Sequence, residues 1–448
     1  MTSTESNHPD VDVLIIGAGV AGLACAKVLN DTNLSNDSSS SGAIDSIRIV
    51  EASDRAGGRV RTDVVDGFQL DHGFQVLLTA YPACQQLLNY DDLELCTFEP
   101  GALIRQQGRF RLLSDPWRRP LRAVATALNP VGTIGDKLRI ARLRAASSRG
   151  SLDELYRRPN QSTLDRLRSD GFSDRMIDQF FRPFLGGVFL DESLATPSRM
   201  LEFVFRMFAA GEIAVPADGM GAIARQLAES LPRGTVALRS TVSQIRFGNG
   251  EQPHVVTLSD QSQVTCNTVV IATPIDTVQR WLKNDSVTQP STWSGTTNVY
   301  YAAKQEANAN THLMLRGDET GPIQTAVVLS DVAKRYAPPG KSLISVSIDS
   351  KDEPADGVDE AGLDERIRPQ LKRWFGDHAE QWQRLRTYRV PYALPVLDLE
   401  PVIQSTIHEI EGVASGRIHV IGDHVETPSL QGAMNSGIRA ARSILDQA

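Results

Sequence analysis

The stretch "VDVLIIGAGVAGLACAKVLN" constrains this chain more than any other. Val11 to Ile16 is apolar and β-branched, as a strand buried on both faces requires, and it breaks at Gly17-Ala18-Gly19-Val20-Ala21-Gly22 before a helical pattern starts. A G-x-G-x-x-G run between a strand and a helix is a dinucleotide-binding fingerprint. Gly17 makes the tight turn, Gly19 lets a pyrophosphate approach the backbone, and Gly22 lets the helix lie close on the strand. The helix N-terminus then offers free N–H groups and the positive end of its dipole to phosphate.

The same fingerprint calls for an acidic residue about 20 residues on, at the end of the second strand, to hold ribose hydroxyls. The second strand is "SIRIVE", and its Glu51 lies 34 positions after Gly17. Residues 30–46 account for the excess: 12 of these 17 are Ser, Asn or Asp, a composition that cannot bury a core and reads as a flexible insertion. The polar start, residues 1–10, is expected to be flexible as well. Glu51 is therefore the candidate ribose ligand.

At 448 residues the chain exceeds the roughly 250–300 at which one core splits, so two domains are expected. A formal net charge of −8 argues against nucleic acid as the main partner. Cys25, Cys84, Cys96 and Cys266 show neither disulfide nor zinc spacing, and His419 and His424, the nearest histidine pair, straddle a strand end, so no metal site is expected. The start lacks the features of a secretory signal and no run has the length of a membrane span. A cytoplasmic, reducing location is expected.

"EASDRAGGRVRT", directly after the candidate ribose ligand, resembles the corresponding segment of the flavin amine oxidase, phytoene desaturase and protoporphyrinogen oxidase superfamily. The resemblance implies FAD, with Gly57, Gly58 and Arg59 near its pyrophosphate, where a guanidinium neutralises charge. "GFQLDHGFQVLLTAYP" is similar to the segment that passes the isoalloxazine and implies Gly73, Phe74 and Gln75 beside it. Residues 236–274 look like the superfamily's β-meander, read as "VALRSTVSQIRF", "HVVTL" and "TVVIATP", with Val242 pairing the adenine. "GRIHVIGDHVETPSLQGAMNSGIRAARSI" resembles its C-terminal half-motif: Asp423 on the ribityl chain, and Gln431 to Ala433, at the start of the last helix, beneath the flavin or phosphates. Covalent flavin attachment is not expected, since no cysteine lies in this segment.

The implied fold is α/β: a Rossmann-like FAD domain, with a parallel sheet and a meander, beside an α+β substrate domain. The FAD domain takes residues 11–80, 215–285 and 410–448, and the substrate domain takes 81–214 and 286–409. The first half of the substrate domain reads as helical, the second as strand-bearing through "TAVVLS" and "SLISVSI".

Flavin chemistry asks the protein to orient a substrate C–H over the ring and exclude water, so no strong catalytic acid or base is demanded. Asp71-His72 invites a proton relay, but a pair at a strand end in a cofactor loop is more often a structural hydrogen bond. Many amine oxidases of the superfamily carry a lysine ahead of paired tyrosines; in "SGTTNVYYAAKQ", alignment on Tyr300-Tyr301 puts Thr296 there. Where those enzymes place an aromatic residue before the last helix, this chain has Ser429. "YRVPYALPVL" is similar to a segment on the substrate side of the desaturases, with Tyr392 facing either the pocket or a packed loop. "FFRPFLGGVFL" suits a cavity wall and core packing equally.

Residues 105–158 carry 13 arginines or lysines against four acidic residues, interleaved with apolar runs. This pattern fits a solvated helical face or a peripheral contact with an anionic membrane. The expected activity is FAD-dependent removal of hydride from a largely apolar small molecule, with dioxygen or a quinone as acceptor. The alternatives are amine oxidation in the narrow sense, marked by flavin bleaching with amines, and an isomerase or flavin-binding protein without net turnover.

Overall fold

The structure is a computed structural model that describes residues 9–35, 44, 46–115, 117–119, 130–249, 252–282, 293–304, 309–348, 359–397, 399 and 417–447. Among these residues two seven-stranded sheets dominate. The first places Val11–Ile16 between Ile47–Val50 and Gln263–Ile271, both parallel to it. Val236–Ala237 extends the sheet beyond Ile47–Val50, again in parallel. On its far side Gln263–Ile271 divides its pairing: residues 263–266 run antiparallel to His254–Leu258, while Val269–Ile271 run parallel to Ile418–Val420. Val242–Arg246 closes that edge against His254–Leu258.

The alternation of a strand places successive side chains on opposite faces. Val13 and Ile15 enter one core, Leu14 and Ile16 another, and all four are at most 3% exposed. That is why the run is apolar throughout rather than every second residue. Helix Val20–Ser35 and the C-terminal helix Leu430–Leu445 pack together over the first of these faces. Gly437 permits their approach, for a Cβ there would fall 2.3 Å from the Ala21 carbonyl oxygen.

The second sheet runs in the order Gln383–Pro395, Trp293–Lys304, Lys341–Ile348, Ile323–Val328, Leu313–Leu315, Gly101–Gln106, Arg109–Ser114. Helix Glu360–Phe375 covers one face with Leu363, Ile367, Leu371 and Trp374. This is the i, i+4, i+8, i+11 stripe of an amphipathic helix. The other face, with Tyr300, Ala302, Val327 and Leu343, joins the main core.

Three sequence expectations change. Residues 81–214 are not purely helical, since the hairpin Gly101–Gln106/Arg109–Ser114 completes the second sheet by pairing Leu313–Leu315. "VALRSTVSQIRF" is not one strand: it leaves the sheet after Ala237, turns through Arg239 at φ +54°, and re-enters at the opposite edge. The first helix continues to Ser35, inside the segment expected to be a loop. The remainder of that segment (36–43 and 45), residues 1–8, and 116 and 120–129 of the basic stretch lie outside the described residues.

Candidate functional site

The parallel strands end together. Ile16 registers with Val50 and with Ile271, and Ile271 with Val420, so the loops starting at Gly17, Glu51, Ala272 and Ile421 share one rim. Ligands of open α/β sheets sit at this carboxyl edge.

Each glycine of the first loop meets a different constraint. Gly17 has φ +107°, and a Cβ on Gly22 would lie 2.1 Å from the Gly17 carbonyl oxygen. Gly19 faces open space, with no atom within 4 Å of an added Cβ. Gly57, at φ +123°, donates its N–H to the Ala18 carbonyl at 2.8 Å, and Gly58 lies against Gly19. Two glycine segments from distant parts of the sequence thus form one strip of bare backbone.

Glu51 holds this strip in place. Its carboxylate accepts the Ala18 N–H at 2.7 Å and the Ser53 N–H at 2.8 Å, leaving each oxygen a further lone pair. The Ser240 N–H donates to the Glu51 carbonyl at 2.8 Å, so the chain passes this carboxylate two residues before Val242 on its edge strand.

Arg59 donates to the buried Asp423 carboxylate at 2.6 Å and to the Ala393 carbonyl at 2.7 Å, with its guanidinium 5.5 Å from the centre of the Trp293 ring. Gln75 braces the turn by donating to the carbonyls of Arg59 and His72. Gly73 has φ +87°, and Thr296 Cγ2 stands 3.4 Å from where its Cβ would be. Tyr392 is 56% exposed and meets Trp293 edge-on at 5.8 Å.

Other candidates have structural tasks. Phe74 packs edge-on against Phe98. Ser429 caps the last helix by accepting the Gly432 N–H, and Ala433 bonds back to the Ser429 carbonyl within that first turn. Gln431 is buried and accepts the Ala83 N–H at 2.8 Å.

Asp71 is a buried junction. It accepts from the Thr62 hydroxyl, from the Met220 N–H at 2.9 Å and from the Tyr336 hydroxyl at 2.8 Å, while the Tyr300 hydroxyl donates to its carbonyl. Burial pushes its carboxyl up to about 6, against the opposing pull of these hydrogen bonds. His72 pairs with Asp63, which also accepts from Tyr388. Sequence reasoning missed Trp293, Thr62 and Tyr336, whose roles come from segments far apart in the chain.

The rim fits a dinucleotide on two observations. Gly19 and Gly58 lie together as open backbone, a surface that side chains would fill. Thr273 Oγ1 and His424 Nε2, both buried at these strand ends, have no protein hydrogen-bond partner. Burial pushes the His424 imidazole down to about 4, so it is neutral near pH 7 and able to donate without adding charge. Among the described residues no three His, Cys, Asp or Glu side chains gather as a metal site, and no helix is long and apolar enough to cross a membrane.

A dinucleotide rim lies beside a second, largely antiparallel sheet, and with the family match over residues 20–445 this makes the protein an FAD-dependent oxidoreductase. Residues 20–445 match the family model described as flavin containing amine oxidoreductase, and the chain belongs to that family. The fold is similar to a putative protoporphyrinogen oxidase from Exiguobacterium sp. 255-15 (TM-score 0.71, 15% identity, 98% of this chain and 99% of that one). It is also similar to wild-type putrescine oxidase bound to putrescine (0.66, 17%, 97% and 99%) and to reduced UDP-galactopyranose mutase (0.64, 18%, 98% and 96%). No curated protein sequence matches the chain.

Proposed function

We propose that the protein binds FAD non-covalently along the strand-end rim and removes hydride from, or desaturates, a largely apolar small molecule. Bound flavin supplies the hydride acceptor, and dioxygen or a quinone then takes the electrons. Glu51 holds the ribose end, the Gly17–Gly22 and Gly57–Gly58 strip receives the diphosphate, and Arg59 and Asp423 flank the linker toward Gly73 and Thr296. Residues 11–80, 215–285 and 410–448 act as the FAD domain, and 81–214 and 286–409 as the substrate domain. The strands support that division: every strand of the first sheet comes from the former set and every strand of the second from the latter.

An aromatic wall carries the substrate reading. The π-helical turn Ile177–Phe181, helix Arg182–Phe189 and helix Ser198–Ala210 bring Phe181, Phe180, Phe184, Phe208 and Phe205 into a closed ring of contacts, with centroids 4.9–6.5 Å from their aromatic neighbours. Phe180, Phe184 and Phe208 remain half-buried. π-Turns of this kind gather at functional sites. Thr296, where a lysine would assist an amine, stands beside Gly73.

The protein is then cytoplasmic and peripheral to an anionic membrane through residues 105–158. Trp117, Ile134 and Leu138 are 49%, 67% and 64% exposed in this arginine-rich stretch. Amine oxidation is the second reading, supported by the likeness to putrescine oxidase. Anaerobic titration of flavin absorbance with a polyamine, a monoamine, a carotenoid precursor and a porphyrinogen separates the two. Bleaching by the lipid-soluble compounds alone is expected, and bleaching by an amine reverses the ranking.

A further inference from the structure

The inner face of the second sheet, largely apolar, carries a continuous polar row. Tyr388, Asn298, Ser347 and Thr325 register side by side across four adjacent strands. Their neighbours on that face, Tyr300, Ala302, Leu343 and Val327, belong to the main hydrophobic core. Four adjacent polar residues on a core-facing surface cost desolvation unless each is satisfied.

Tyr388 is satisfied by Asp63, to which its hydroxyl donates at 2.9 Å. Asn298 is not. Its Oδ1 accepts from Ser345 at 3.1 Å and Ser347 at 3.2 Å, yet its Nδ2, on a residue with no exposed surface, has no partner. The amide thus turns Oδ1 to the two hydroxyls and leaves Nδ2 unpaired.

The row is also well placed. Thr296 precedes Asn298 by two residues on the same face and reaches Gly73. Thr296 and Ser347 are half-buried, so both keep some accessible surface at the edge of the row. Gly187, on the helix that carries Phe184, lies 3.5 Å from Thr325 Cγ2 when given a Cβ, so the row continues beneath the aromatic wall. The cation nearest in register, Arg386 opposite Tyr300, faces Asp63 at 3.5 Å.

We propose that Asn298, with Ser347 and Thr296, recognises a neutral hydrogen-bond acceptor, a carbonyl or hydroxyl oxygen, on an otherwise apolar substrate. The inference rests on the apolar-substrate reading above and narrows it: the substrate is not a pure hydrocarbon. A carboxylate is disfavoured because Val390, Tyr388 and Thr325, the register partners of Thr296, Asn298 and Ser347, carry no positive charge.

The test uses the FAD-loaded protein in detergent under anaerobic conditions, with perturbation of the flavin visible spectrum as the binding signal. The probes are all-trans-retinal, all-trans-retinol and the deoxygenated polyene of the same carbon number. Retinal or retinol should bind at least about tenfold more tightly than the hydrocarbon, about 1.4 kcal/mol. Asn298→Leu, which keeps the volume and removes the unpaired amide, should erase that difference while the protein still binds FAD. Equal affinity for all three probes in the wild type, or undiminished discrimination in Asn298→Leu, overturns the inference and leaves the apolar reading intact. Failure of every probe to perturb the flavin removes both. If the leucine variant does not fold, Ser347→Ala, which loosens the amide without changing charge, is judged by the same difference.

Discussion

Arg59 and Asp423 form an ion pair of 2.6 Å between residues 364 positions apart, joining the turn after the second strand to the turn before the last helix. The two partners are unequal: the carboxylate side chain is 5% exposed and the guanidinium 38%. Removing the cation leaves a buried charge, whereas removing the anion leaves a group that water reaches. Arg59→Ala should therefore destabilise the protein by about 2–4 kcal/mol and Asp423→Asn by less. Urea unfolding of the two variants compares them, and an equal or reversed order contradicts the assigned burial.

Glu51→Ala should weaken FAD binding by about 1.5–3 kcal/mol, since a charged acceptor is lost from the ribose. Flavin fluorescence on titrating apoprotein with FAD measures it. FAD retention equal to wild type would remove Glu51 from the site.

Two glycines three residues apart should fail in different ways. A Cβ on Gly19 meets nothing within 4 Å, so Gly19→Ala should fold normally and lose affinity for FAD. A Cβ on Gly22 would overlap the Gly17 carbonyl oxygen, so Gly22→Ala should lose stability even without cofactor. Circular-dichroism melts of the apoproteins, paired with FAD titration, distinguish the cases; a stable Gly22→Ala apoprotein argues against the close helix–strand packing.

Asp71 should make stability depend on pH. Its folded value of about 6 lies above the ~3.9 of an unfolded aspartate, so the native state holds a proton that the unfolded state releases. This contribution is fully present below about pH 4, declines as pH rises, and is gone above about 6, a change of order 3 kcal/mol. Asp71→Asn should lack that slope. In urea titrations the variant should gain on wild type between pH 4.5 and 7, and a pH-independent difference would rule the effect out.

Contact with an anionic membrane should depend on Ile134 and Leu138, one turn apart on helix Ile134–Ser147. Sedimentation with phosphatidylserine-containing vesicles should fall in the Ile134→Ser/Leu138→Ser variant and weaken with salt. Undiminished binding by that variant, or no binding by wild type, removes the contact.

Much of the strand-end rim was legible because its signals are local. The strand before Gly17, the glycine spacing and the carboxylate at Glu51 each follow from backbone geometry within a few residues. The hairpin of residues 101–114 was not legible, since its strands gain their place only by pairing Leu313–Leu315, and helical and strand patterns are alike in short apolar runs. Ser429 illustrates the limit at the site: its position suggested a pocket, while its hydroxyl is committed to capping a helix.

The sequence by itself determined the dinucleotide fold, because a G-x-G-x-x-G turn between a buried strand and a helix satisfies its steric demands in few other ways. Only the tertiary structure decided what faces Gly73 and Asp71. Thr296 reaches Gly73, Tyr300 and Tyr336 converge on Asp71, and Asn298 lines up with Ser347 through strand register between segments far apart in the chain. Register follows from the packing of whole sheets, and no local stretch of residues encodes it.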